Sequence, residues 1–237
     1  DYKVTGVQTC ALPILLFIIL VGVITAFFAA TIGLVQNDLK KVIAFSTTSQ
    51  LGYMIFICGL SSYDASFFHL INHAFFKALL FLSAGSVIHA MSGEQDMRKL
   101  GGLRKLLPYT YSMMLIGSLA LAGFPFLSGF YSKDLILEIA YAKSTSYGVF
   151  SYWIGSLAAF LTSFYSFRLI YLTFITNTNA YKFYILHAHE CSFFLGFPLF
   201  ILSIGSIFGG YNCYNVFVDF GTNFWQNSIY IAPSNSI

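Results

Sequence analysis

Six apolar runs, each long enough to cross about 30 Å of hydrocarbon, fill most of this 237-residue chain. They lie at roughly 14–35, 42–60, 64–90, 109–140, 149–175 and 193–211. The segments between them are short, so no soluble domain fits. The runs are also too long and too continuously apolar for the alternating strands of a membrane barrel. The expected fold class is therefore all-α, a polytopic integral membrane helix bundle of about six spans with the lipid bilayer as its solvent. Composition agrees: 57% of the residues are hydrophobic and 9% charged, against about 25% charged in a soluble domain. A net charge of +3, with no basic binding face, argues against nucleic acid as a partner. Cys10, Cys58, Cys191 and Cys213 lack CxxC or other metal-ligand spacing, which speaks against a disulfide framework, a zinc site or an iron–sulfur cluster. There is no GxGxxG following a strand, hence no dinucleotide site.

With six crossings the loops alternate between two sides. One side receives Lys40, Lys41, Arg98, Lys99, Arg104, Lys105 and Lys182; the other receives Lys143, and Lys3 if the N-terminus is counted. Basic loop residues are retained on the cytoplasmic side, or the matrix side in a mitochondrion. Asp38, Lys40 and Lys41 read first as topogenic loop charges, with Asp38 and Lys40 also candidates for the inner mouth of an ion path.

The third run carries His69, His73 and Lys77. A step of four residues advances a helix by about 40° in azimuth, so these three climb one face. Lys77 falls near the middle of the run, where a lysine costs roughly 2.5 to 3.5 kcal/mol on insertion scales. Its side chain of about 6 Å cannot snorkel across half of the hydrocarbon core. A proton or ion path accounts for such a ladder; a structural helix has no use for it. His89, about 120° around from Lys77 and close to the end of the run, reads as interfacial.

The fourth run is 32 residues, about 48 Å of helix, and contains Gly123-Phe124-Pro125-Phe126-Leu127-Ser128-Gly129 in its middle. Proline and the two glycines predict two half-helices joined by an unwound stretch over 123–129. Unwound backbone at membrane depth survives only where protein buries it or where it lines a wet cavity, and it marks ion sites in transporters. Lys133 and Asp134 follow the break, with Glu138 one turn further, and are the candidates for an exit path.

Arg168 sits late in its run and reads as snorkelling to the basic side or pairing there. His187-Ala188-His189-Glu190-Cys191 lies in a loop at spacings that fit no helical ligand pair, so it is not expected to bind metal. Residues 1–14 lack the basic start and cleavage site of a signal peptide and read as a non-native leader. Residues 15–211 would form the transmembrane domain and 212–237 a truncated connecting segment, which together suggest part of a longer protein.

Four segments resemble one family. They are Asp38 to Met54 (DLKKVIAFSTTSQLGYM), His69 to Leu82 (HLINHAFFKALLFL), Gly101 to Lys105 (GGLRK), and Phe130 to Glu138 (FYSKDLILE). In this order they are similar to the antiporter-like, proton-translocating membrane subunits of respiratory complex I, the NADH:ubiquinone oxidoreductase of the mitochondrial inner membrane. The resemblance implies a helix bundle in which Lys77 is the central proton carrier. It also implies that His69 and His73 pass protons toward Lys77, and that Lys133 and Asp134 serve the exit. It further implies that this chain binds no cofactor, with NADH, FMN, iron–sulfur clusters and ubiquinone in partner subunits, and that its partners are other membrane subunits of the complex. A subunit of a multisubunit cation/proton antiporter shares these motifs, and a non-functional fragment is the remaining alternative.

The distribution of basic residues gives a direct test. Single cysteines replacing Arg104 and Lys143 should be labelled by an impermeant reagent from opposite faces of the membrane; labelling from one face would overturn the six-span arrangement.

Overall fold

The computed structural model describes the backbone of residues 2–143, 145–218 and 224–225, and side chains from residue 13 onward within these ranges except at position 187. The described secondary structure is helical: α1 (Tyr2–Val35), α2 (Leu39–Gly59), α3 (Tyr63–Ala90), α4 (Pro108–Ala122), α5 (Ser128–Ala142), α6 (Ser146–Ile170), α7 (Lys182–His187) and α8 (Phe193–Phe217). A 3₁₀ turn spans Met97–Lys99, and a π-turn, Tyr171–Ile175, extends α6. Among the described residues, five stretches are long and apolar enough to cross a membrane: Pro13–Val35, Leu39–Gly59, Tyr63–Ala90, Ser146–Ile175 and Phe193–Phe217. The half-helices α4 and α5, of 15 residues each, replace the fourth apolar run and pack within the same bundle. The protein is thus a polytopic helical membrane protein, as the apolar runs predicted.

The helix α1 runs through the segment read as a leader, and α8 continues past 211 to Phe217. Much of the expected connecting segment, 219–223 and 226–237, lies outside the described residues.

The span α3 is central, packing against α2, α4, α5 and α8, while α1 lies on α2 and α6. Little hydrophobic force drives helices together in lipid, so close packing through small residues and hydrogen bonds takes its place. The α1–α2 contact shows both. Gly52 packs on the α1 backbone so closely that a Cβ there would lie 2.6 Å from Ala26 N and 2.7 Å from Gly22 O. Ser49 Oγ donates to the Ala26 carbonyl across the same seam at 2.8 Å.

The loops collect at two ends. At one, Leu39 N donates to Gln95 O (3.0 Å), Met97 N to Asn37 O (2.9 Å) and Asn179 N to Leu100 O (3.1 Å). The loops after α1, α3 and α6 therefore meet, and with them the seven basic residues assigned to one side. Arg168 is fixed here: Nη1 donates to Gln36 O at 2.6 Å and Nη2 to Asn37 Oδ1 at 2.8 Å. Asp96 binds Arg98 through a 2.7 Å ion pair, which holds its carboxyl below the usual carboxylate range. At the opposite end the Lys143 amine donates to Leu60 O, joining the loops after α2 and α5.

The α1–α2 seam should be intolerant of volume. Gly52→Leu should destabilise the protein by about 1–3 kcal/mol, the usual effect of overpacking, seen as a lower melting temperature of the solubilised protein. Gly85→Ala, where an added Cβ meets nothing within 4 Å, should leave it unchanged or slightly higher.

Candidate functional site

Three turns of α3 turn ionisable groups into the bundle. His69, His73 and Lys77 are 1%, 6% and 4% exposed, so lipid does not reach them. The Lys77 amine reaches α2, donating to Ile43 O at 3.3 Å and to Ser46 Oγ. Ser46 in turn donates to the Ile43 carbonyl at 2.8 Å. His69 is held on both ring nitrogens: Nδ1 lies 2.9 Å from Ser132 Oγ on α5, and Nε2 lies 3.1 Å from Gln50 Oε1 on α2. The rings of His69 and His73 are 6.1 Å apart between centroids, and His73 packs edge-on against Phe76 at 5.3 Å. His73 Nε2 is buried without a hydrogen-bond partner, as are Gln50 Nε2 and Asn72 Oδ1.

The break between α4 and α5 builds the other half of the site. Helix α4 ends at Gly123, whose φ of +83° suits glycine. Gly123 N donates to Ala120 O (3.2 Å) and Phe124 N to Leu119 O (3.0 Å), the paired bonds of a Schellman motif that satisfy the last carbonyls. Phe126 also takes positive φ, +69°, a strained choice for a bulky residue. The non-helical stretch is thus 123–127, two residues shorter than expected. Gly129 lies in the first turn of α5 against the Ala120 carbonyl, where no Cβ fits, so this glycine serves a close approach and not the unwound stretch.

Just beyond, Lys133 is 2% exposed. Its amine donates to Thr162 Oγ1 on α6 at 2.7 Å and lies 5.6 Å from the centre of the Tyr53 ring. Tyr53 is anchored in turn by its hydroxyl to Gly155 O at 2.5 Å. Asp134 faces elsewhere, since neighbouring helix residues point about 100° apart. It opens with Glu138 onto a groove of about 280 Å³ beside Tyr131, Tyr211 and Tyr214. Among the described residues the ion pairs are Lys41–Asp38, Arg98–Asp96 and Lys99–Glu94. Neither buried lysine is paired with a carboxylate.

The expected site residues therefore divide. Lys77, His73, His69 and Lys133 share the bundle interior, with Ser132 on α5 binding His69 directly beside Lys133. Asp134 is half-buried at its edge. Asp38 and Lys40 stay at the surface of the basic end, where Asp38 pairs with Lys41 at 2.7 Å. The sequence reading missed Ser46, Gln50 and Tyr53, the α2 groups that meet Lys77, His69 and Lys133. Their spacing of four and three residues on an apolar helix was a readable signal of a polar inward stripe. It also missed Glu190. Its carboxylate caps the start of α4, accepting from Tyr109 N at 2.8 Å and Thr110 Oγ1 at 2.9 Å, where the helix dipole favours a negative charge. Among the described residues no three His, Cys, Asp or Glu side chains converge as metal ligands.

Lysines buried without a carboxylate partner in a bundle of long apolar helices define a polytopic helical membrane protein with a polar interior. The chain belongs to the NADH:quinone oxidoreductase/Mrp antiporter transmembrane family, whose pattern matches residues 7–162. It is 61% identical over 223 residues to NADH-ubiquinone oxidoreductase chain 5 of Marchantia polymorpha, covering 94% of this chain and 33% of that protein. The chain 5 protein of Metridium senile is 65% identical over 197 residues, covering 83% and 32%, and that of Acanthamoeba castellanii is 55% identical over 236 residues, covering 100% and 34%. The chain spans about a third of the length of these relatives. Among solved structures, a chain of the membrane-bound sulfane sulfur reductase, an archaeal respiratory membrane complex, superimposes with a TM-score of 0.73 at 26% identity, covering 82% of this chain and 32% of that one.

The cap on α4 is open to test. Glu190→Ala should lower stability by about 0.5–2 kcal/mol, the range for losing a helix N-cap, while Glu190→Gln, which keeps an acceptor oxygen, should lose less than half as much. Melting of the solubilised variants measures both.

Proposed function

We propose that this chain is the proton-carrying part of a membrane subunit of respiratory complex I in the mitochondrial inner membrane. There it couples NADH-to-ubiquinone electron transfer to proton translocation. NADH, FMN, the iron–sulfur clusters and ubiquinone reside in partner subunits, and other membrane subunits of the complex are its neighbours. The family and the 55–65% identity to chain 5 proteins support the assignment. The observation that carries the mechanism is the pair of enclosed lysines, Lys77 and Lys133, held by hydroxyls and a carbonyl and by no carboxylate.

Neutral partners of this kind suit a carrier. A fixed ion pair would trap the proton, whereas Ser46 can accept from a protonated amine or donate to a neutral one. His69 has the same versatility. When Nδ1 is bare, Ser132 donates to it; when Nδ1 is protonated, Ser132 accepts and turns its own proton to Ser128 O, 3.2 Å away. One hydroxyl rotation thus accommodates both charge states of the imidazole. The His69–His73 separation exceeds hydrogen-bond reach, so transfer along this stretch requires bridging water, for which His73 Nε2 is an open partner. Lys133 would hold the proton beside α6, and Asp134, open to its groove, would receive it on the way out. Each elementary charge moved against 100 mV requires about 2.3 kcal/mol, supplied by electron transfer in partner subunits.

In the assembled complex, Lys77→Ala should lower the protons moved per electron strongly while assembly is retained, because alanine favours helix and a costly charge is removed. Lys77→Arg should be a poor substitute, since arginine does not release its proton. A wild-type proton-to-electron ratio in assembled Lys77→Ala would leave Lys77 a structural residue.

A further inference from the structure

Of the three groups in the α3 row, His69 is held by two other helices, and its two contacts are not equivalent. On α5 the partner is a hydroxyl, Ser132 Oγ at 2.9 Å from Nδ1, which can donate or accept. On α2 the partner is the carboxamide oxygen of Gln50, Oε1 at 3.1 Å from Nε2. A carbonyl oxygen only accepts, so Nε2 carries a hydrogen wherever this contact is made.

The surroundings of Gln50 hold it to that role. Its side chain is buried, and its neighbours Ser49 and Gly52 lock α2 against α1, which keeps Gln50 turned toward α3. Its Nε2 has no partner, so Oε1 is the atom of the amide in use. An amide turned end for end would point N–H at the ring. That arrangement suits a ring with a bare Nε2 and sets hydrogen against hydrogen once the ring is charged, because imidazolium carries a hydrogen on both nitrogens. The observed orientation serves both charge states. In the neutral ring Nε2–H donates to Gln50, and Ser132 donates to the bare Nδ1. In the charged ring Nε2–H still donates to Gln50, while Nδ1–H donates to Ser132, whose own proton turns to Ser128 O at 3.2 Å.

We propose that Gln50 is a positioning residue that fixes the tautomer of His69. It keeps one proton on Nε2 in both charge states and leaves Nδ1, facing α5, as the nitrogen that gains and loses a proton. The tautomer stands on the hydrogen bonds; its use in transport rests on the relay reading. A consequence for direction follows. With Nε2 committed to α2 and Nδ1 to Ser132, neither nitrogen is left for His73, whose ring centroid lies 6.1 Å away. His69 is where the row on α3 gives way to the broken span, at the residue preceding Lys133.

The test uses the intact complex that contains this subunit, with histidine isotopically labelled in the ring. Neutral imidazole has different vibrational bands with its hydrogen on Nδ1 or on Nε2, and the difference between wild type and His69→Phe at alkaline pH isolates this ring. The bands lost should be those of the Nε2–H form. Gln50→Glu, whose carboxyl oxygen also accepts from Nε2, should keep them. Gln50→Leu should shift them to the Nδ1–H form and slow proton translocation about tenfold, in keeping with one lost hydrogen bond to a charged group. Added to His69→Phe it should slow translocation no further, because Gln50 acts through that ring.

Bands of the Nδ1–H form in wild type overturn the proposal, as does wild-type translocation in Gln50→Leu where His69→Phe is slow. Equal slowing by Gln50→Leu with and without His69 also overturns it, since that is how a packing residue behaves. If Gln50→Leu does not assemble, the wild-type and Gln50→Glu spectra are decisive by themselves. Normal protons per electron in His69→Phe, with Nε2–H bands present in wild type, is the separate signature of a failed relay, and it overturns the use of the tautomer in transport.

Discussion

A charge withdrawn from water into a bilayer is tolerated only where polar groups surround it, and that requirement organises this bundle. Lys77 and Lys133 sit in the bundle interior, each within reach of hydroxyl or carbonyl oxygens on a neighbouring helix. Those oxygens must be held close, and this is where the small residues matter. The α1–α2 contact through Gly22 and Gly52 sets α2 against α1, and α2 presents Ser46, Gln50 and Tyr53 toward the two lysines and His69. The tight seam on one side of α2 and the polar stripe on the other are two faces of one constraint.

The interruption between α4 and α5 serves the same end. An uninterrupted helix of that length would have to tilt or overshoot the core. The break instead ends α4 in a self-satisfied Schellman turn and restarts the chain at Ser128, so that Ser132 arrives at His69 and Lys133 at Thr162. Glu190, from a loop far along the chain, caps the other end of α4. Both ends of this half-helix are thereby satisfied without the rest of the span.

Much of this architecture was readable from the residues. Long apolar runs with Gly/Pro punctuation have few solutions in lipid, and the four-residue spacing of His69, His73 and Lys77 fixed their common face. Boundaries were less legible where packing overrides local character. Polar residues at Asn212 and Asn215 mark a plausible end for the last run, yet α8 continues because Cys213, Tyr214 and Phe217 pack on the core. The hydrogen-bond partners of the buried cations were illegible for a different reason. Serines and threonines are common in membrane helices, and only the rotation of each helix against its neighbours shows which of them face a lysine. Asp134 shows what adjacency in sequence leaves open: it follows Lys133 directly, yet consecutive helical residues point about 100° apart, and only the packed bundle shows that it opens with Glu138 onto a groove beside Tyr131, Tyr211 and Tyr214.

Helix α6 holds Thr162 against Lys133 and, six residues later, Arg168 against the α1–α2 corner. The two anchors lie on different faces of the same rod, since six residues turn a helix by about 600°. Sliding α6 by a single residue, about 1.5 Å, would sever contacts that are now 2.6–2.8 Å long at both places. The span therefore behaves as a strut of fixed length. It joins a cation in the bundle interior to a loop at the surface through one helix, so the register of α6 is set at both ends by polar contacts.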